Sequence, residues 1–221
     1  MKHPLNSRVV GILALAAACA APMAAHAERE VAFYGGVQGA PHSRVRMYDA
    51  GGNLKESFRA GWEGKSFDMP PYYGFRYTSW QDGDWGWLVN FTHAKAYSDD
   101  TTRAKNGYSV LEMTDGVNPL TVQLTKRQAL SPEMSMYYGG GIGISIPHVE
   151  ITKGAAKTFE FQYGGPVLGA HLGLKYKLSQ NWNVFGEYAF HFYKINVDHD
   201  GGKMKTNLIT NALNVGVGYS F

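Results

Sequence analysis

The chain of 221 residues has one cysteine, Cys19, and it lies within the first 27 residues. Intrachain disulfides and thiol chemistry beyond that segment are therefore excluded. After residue 27 no run of about twenty apolar residues occurs, which excludes helical membrane spans. Charge of one sign is scarce as well. The chain carries +3, and removing Lys2 and Arg8 leaves 3 − 2 = +1 on the remainder. So even a balance gives no argument for nucleic acid as a partner. No βαβ nucleotide-binding unit can be read anywhere, so neither nicotinamide nor flavin is expected.

Two kinds of pattern are present. Residues 1–27 combine Lys2 and Arg8 with an apolar, alanine-rich stretch from Val9 to Ala21 and a small-x-small site at Ala25-His26-Ala27. This reads as a secretory signal peptide, too short to span a bilayer. Cys19 suggests a lipoprotein as the second choice, but Ala16 stands where such sites carry leucine. The expected division is a cleaved segment 1–27 and one domain, 28–221.

The second pattern is alternation. From Leu208 to Phe221, Ile209, Leu213, Val215, Val217, Tyr219 and Phe221 share one face, broken by Asn211, while small and polar residues fill the other. This is a period-two strand. Seven earlier segments read alike, at about 30–40, 72–80, 85–93, 119–127, 134–146, 161–178 and 182–194. In the seventh, for example, Trp182, Val184, Tyr188, Phe190 and Phe192 alternate with Asn183, Glu187, His191 and Tyr193. Alternation with an even strand count, ending on an aromatic, resembles the strands of bacterial outer-membrane barrels, greasy toward lipid and polar toward the lumen. Such a terminal strand is also what the outer-membrane assembly machinery would engage. The expected fold is all-β, an eight-stranded antiparallel transmembrane barrel in the bacterial outer membrane.

Connections alternate between tight turns near 81–84, 128–133 and 179–181 and long stretches near 41–71, 94–118, 147–160 and 195–207. Short periplasmic turns and long extracellular loops are the usual barrel asymmetry. Eight strands leave a bore just wide enough for side chains. Arg76, Arg127, Lys175, Glu187, Gln123 and His171 are therefore expected to fill it as a polar plug. Gly139, Gly140, Gly141 and Gly143 are expected to make room in that lumen.

One histidine falls at each long connection: His42, His93, His148 and His199. Imidazole beside carboxylate suits a transition metal, so His42, His93 and His148 are the expected ligands of a divalent ion, gathered over the lumen mouth. The spacing matches no local metal motif. Glu63 and Lys65, in the stretch Gly61 to Gly74, are candidates for a base and its charge partner, with Glu150 a further carboxylate.

The stretches Phe33-Tyr34-Gly35-Gly36, Ala40 to Val45, Gly61 to Gly74, His93-Ala94-Lys95, Thr114-Asp115-Gly116, Pro147 to Glu150 and Thr210 to Val217 resemble the rhizobial-type outer-membrane lipid A oxidases. The resemblance implies an oxygen-dependent enzyme that converts the proximal glucosamine of lipid A to 2-aminogluconate and releases hydrogen peroxide. It implies lipid A or lipopolysaccharide of the outer leaflet as partner and makes a divalent metal plausible, without transferring settled catalytic residues. The alternatives are a non-enzymatic barrel, structural or binding through its loops, and another lipid A modifier such as a deacylase.

Overall fold

The computed structural model describes residues 28–221, and the expected signal peptide lies outside them. The element order is β1 (Arg29–Gly39), β2 (Ser43–Asp49), β3 (Leu54–Ala60), β4 (Trp62–Glu63), β5 (Tyr73–Trp80), β6 (Trp85–His93), β7 (Ala96–Ser98), α1 (Asp100–Asn106), β8 (Val110–Met113), β9 (Pro119–Ala129), β10 (Met134–Ser145), β11 (His148–Lys153), β12 (Ala156–Phe161), β13 (Gly165–Lys177), β14 (Trp182–His199) and β15 (Gly202–Ser220).

Eight of these strands close a ring in the order β1-β5-β6-β9-β10-β13-β14-β15, with β15 returning to β1. Every pairing is antiparallel, and the closing ladder runs from Glu30 opposite Ser220 to Gly39 opposite Asn211. Closure removes free edges, the condition for a sheet to cross lipid. Alternation then sorts the side chains. Val31, Phe33, Leu168, Leu172, Leu213 and Val215 stay exposed on the outside, Val215 at 73%. Tyr34, Arg76, Asn90, Glu187 and His191 are buried inside. The one polar break in the closing strand is satisfied locally, since Tyr188 Oη donates to Asn211 Oδ1 at 2.5 Å.

The lumen is paired polar side chains. Arg76 clamps Glu187 with two bonds of 2.7 and 2.8 Å, Lys175 pairs with Glu30 at 2.5 Å, and His171 Nδ1 meets Gln123 Oε1 at 2.8 Å. Arg127 is the exception among the expected plug residues. It sits half-exposed at the periplasmic rim with Glu28 and Asp84. The glycine run in β10 does more than make room in the lumen, where a Cβ on Gly139 would come 2.9 Å from His171 Cε1. A Cβ on Gly139, Gly141 or Gly143 would meet the carbonyls of Leu124, Val122 and Leu120 at 2.0–2.1 Å. These glycines thus let β9 and β10 approach closely, beyond any effect on lumen space.

The long connections carry further strands of their own. The expected 195–207 connection is strand on both sides of a tight turn, with Ile195 opposite Thr206 and His199 opposite Gly202. Above the point where β15 leaves β1, its residues Gly202 to Thr206 pair instead with β2, and β2 pairs with β3. The other connections supply a second sheet, β12-β11-β8-β7-β4. α1 precedes its β8 strand, begun by Asp99 as N-cap and ended by Gly107 at φ 72°. The two walls share an apolar interior. Val45, Met47, Ile195, Val197 and Met204 from one join Trp62, Ala96, Leu111, Met113, Val149 and Ile151 from the other in one buried cluster. The extracellular end is therefore a small sandwich standing on the barrel, with one face of each sheet turned outward.

Candidate active site on the extracellular sheet

Period two fixes which side chains share the outward face of the second sheet. Glu63 lies opposite Tyr97, Tyr97 opposite Glu112, Glu112 opposite Glu150 and Glu150 opposite Phe159. A single row crosses the sheet, and its inward neighbours Trp62, Ala96, Leu111, Met113, Val149 and Ile151 are buried. Three carboxylates and a phenol are thus anchored on strands whose other faces form a core.

Glu112 and Glu150 form the centre of this row. Thr114 Oγ1 lies 2.8 Å from Glu150 Oε2 and 3.1 Å from Glu112 Oε1. A hydroxyl has one hydrogen, so it donates to one carboxylate at a time. Burial, and then the nearby Glu150 charge, push the Glu112 carboxyl above the usual glutamate range. With Glu112 protonated the contacts close into a chain, in which Glu112 donates to Thr114 Oγ1 and Thr114 donates to Glu150. Such a chain holds one proton next to a carboxylate able to accept another.

Cations border the row on the Tyr97 side. Lys65 Nζ stands 4.8 Å and Lys95 Nζ 5.5 Å from the Tyr97 ring centre. Lys65 also lies 3.9 Å from Glu63. Lys95 is buried and donates to the Asp68 carbonyl at 2.7 Å, and that burial lowers the proton affinity of its amine. Tyr97 donates to the Thr114 carbonyl at 3.1 Å, and burial pushes its phenol up to about 12.

The histidines divide. His93 Nδ1 meets Asn118 Oδ1 at 3.1 Å, and its ring stacks on Tyr73 at 5.2 Å. That places it in the outward register with Tyr73, away from the lumen mouth. His148 lies between Phe159 and Phe161, at 4.4 and 4.5 Å between ring centres, and its Nδ1 is 3.2 Å from Asp115 Oδ2. One turn joins the two. His148 N–H donates to the Gly116 carbonyl at 3.0 Å, while a Cβ on Gly116 would come within 2.9 Å of His93 Nδ1. At φ 89° that position also favours glycine. His42 shares none of this turn and lies exposed. His199 caps the β14–β15 hairpin, bonded to its neighbour Asp200.

His93 Nε2 and His148 Nδ1 are buried without an aligned hydrogen-bond partner, as ligating nitrogens would be. Among the described residues, however, no three His, Cys, Asp or Glu side chains are grouped to hold a metal ion. Of the sequence candidates, Glu63, Lys65 and Glu150 come to one face, but Tyr97 and Glu112 stand between the two acids. Three strand spacings separate those acids, about 14 Å. Tyr97, Glu112, Thr114 and Lys95 were missing from the candidate set. Alternation around His93 and His148 marks their strands, but cross-strand pairing is invisible in sequence.

Residues 10–221 match the model of the outer membrane protein beta-barrel domain. Among curated proteins none matches the chain in sequence. Similar solved structures include Neisserial surface protein A, at 13% identity and a TM-score of 0.49, covering 89% of this chain and 100% of that one. OprG from Pseudomonas aeruginosa is also 13% identical, with a TM-score of 0.49 over 88% and 96%. The outer membrane protease OmpT from Escherichia coli is 8% identical, with a TM-score of 0.47 over 88% and 97%.

Proposed function

Because the chain belongs to the outer membrane protein beta-barrel domain family, we propose that it is an outer-membrane enzyme oxidising the proximal glucosamine of lipid A to 2-aminogluconate with dioxygen. The observation that carries this reading is the Glu112–Thr114–Glu150 chain on an outward sheet face at the barrel's extracellular end. Exposed Phe159 and Phe161 border it, so the polar row adjoins an apolar edge, as suits a lipid with a sugar headgroup.

The reaction requires a free anomeric hydroxyl. Its proton leaves, two electrons and the C1 hydrogen pass to dioxygen, and the products are the lactone and hydrogen peroxide; water then opens the lactone to the acid. Glu150 is positioned to accept the hydroxyl proton on one carboxylate oxygen, while the other takes the Thr114 hydroxyl bond and protonated Glu112 donates in turn to Thr114, holding the base in place. Lys65 and Glu63, at the row's end, would hold sugar oxygens. Transfer to triplet dioxygen needs a redox-active partner, and a divalent metal remains the proposed one. Among the described residues the side chains do not form a ready three-ligand site, and the part these residues play is binding, orientation and proton handling.

The test is purified, folded protein incubated with dephosphorylated lipid A, divalent ions and oxygen. Mass spectrometry should show gain of one oxygen atom alongside peroxide, and neither should appear with Glu150→Gln. Unchanged lipid A with folded wild-type protein would remove the oxidase reading, and loss of an acyl chain would replace it with a deacylase. Alanine at His93 and at His148 should abolish peroxide; full activity in both would detach the histidines from the site.

A further inference from the structure

The opposite wall of the extracellular sandwich has the other charge. Along β14 the outward side chains are apolar through Phe190 and Phe192 and then become Lys194, Asn196 and Asp198. Along β15 the same change occurs at the same level. Ile209 lies opposite Phe192, Asn207 opposite Lys194, and Lys205 opposite Asn196. The apolar belt thus gives way to polar residues at one height on both strands.

The sheet above that line is cationic. Lys205 is directly opposite Arg46, and Arg44 is directly opposite Arg59. With Lys194 these make five exposed cations on one face. Among the described residues none of the five has a carboxylate partner. The acids nearby are already used, Asp198 by Lys203 and Asp49 by Lys55. Arg44 reaches only the Ser57 hydroxyl at 3.3 Å, and Lys205 rests on the Tyr48 ring at 4.8 Å.

Like charges directly opposite each other destabilise a ladder. Two such pairs in neighbouring registers are costly unless anions lie over them. Arginine forks suit phosphate oxygens, which accept two parallel bonds. Cations just above a lipid belt are also where a membrane's anionic headgroups concentrate.

We propose that this face binds the phosphate groups of the outer-leaflet glycolipids in which the barrel is embedded, holding them as a bound boundary layer. Arg44, Arg46, Arg59 and Lys205 grip the phosphates, and Lys194 marks the headgroup boundary. The site lies on the wall away from the Glu112–Glu150 row and does not depend on the oxidase reading.

The experiment uses the folded full-length domain in vesicles of phosphatidylcholine containing either bisphosphorylated or fully dephosphorylated lipid A, with lipid retained on the extracted protein counted by native mass spectrometry. The variant carries Arg44→Gln, Arg46→Gln and Lys205→Gln; the control carries Lys126→Gln and Lys177→Gln, near the opposite end of the barrel. Folding is confirmed for each by the mobility difference between boiled and unboiled samples. Retention of bisphosphorylated lipid A should fall about tenfold or more in the variant and stay at wild-type level in the control, with retention of dephosphorylated lipid A low throughout. Equal retention by variant and wild type overturns the proposal. So does an equal fall in the control, or equal retention of the two lipids by the wild type.

Discussion

Removing the Glu187 charge should be among the most damaging single changes in this barrel. The Glu187 side chain is fully buried and that of Arg76 is 7% exposed. The guanidinium makes both bonds to the carboxylate, at 2.7 and 2.8 Å. Asn214 adds a bond to Glu187 at 3.2 Å, and Asn90 accepts from Arg76 Nε at 3.2 Å. Glu187→Gln leaves the guanidinium buried with neutral partners only. Breaking a buried pair from one side costs about 3–5 kcal/mol, whereas replacing both members with apolar groups of similar volume is near neutral. Glu187→Gln should therefore destabilise by about 3–5 kcal/mol, and Arg76→Met with Glu187→Leu by clearly less than either single change. The assay is reversible urea unfolding of the barrel in lipid vesicles, followed by tryptophan emission. A single-variant loss under about 1 kcal/mol, or a double variant equal to the sum of the singles, would refute the reasoning.

Two other outcomes follow from local geometry. Because burial raises the Glu112 carboxyl, the folded state holds that proton more tightly than the unfolded chain, so stability falls as pH rises from the ordinary glutamate range through the raised value. Glu112→Gln should match wild type in acid and be the more stable at neutral pH; thermal unfolding at both pH values checks this, and a deficit at neutral pH contradicts it. Gly141→Ala places a methyl 2.0 Å from the Val122 carbonyl and should cost about 1–3 kcal/mol by overpacking, read by urea unfolding; a neutral effect would show that β9 and β10 separate freely.

Alternation alone determined the ring. Each strand needed only its own period-two pattern to declare which residues meet lipid, and the even count is what the observed β1–β15 closure requires. Thus Leu213, Val215 and Val217 were legible as outward, and Glu187 and His191 as inward, before any partner was known. The contact of Arg76 with Glu187 across the lumen was not legible, because their strands are not neighbours in the ring, though both were expected inside. The extracellular end was a different case. Its strands β4, β7 and β8 are only two to four residues long, too short for a period to show. Their partners lie far off in sequence, as with Glu63 and Tyr97 or Glu112 and Glu150. Only tertiary pairing made a row of these residues, turned Lys205 toward Arg46, and drew His93 and His148 to one turn while leaving His42 outside it. A strand's own alternation decides which face a side chain takes. Which neighbour it meets there depends on contacts between segments tens of residues apart, and no local pattern encodes them.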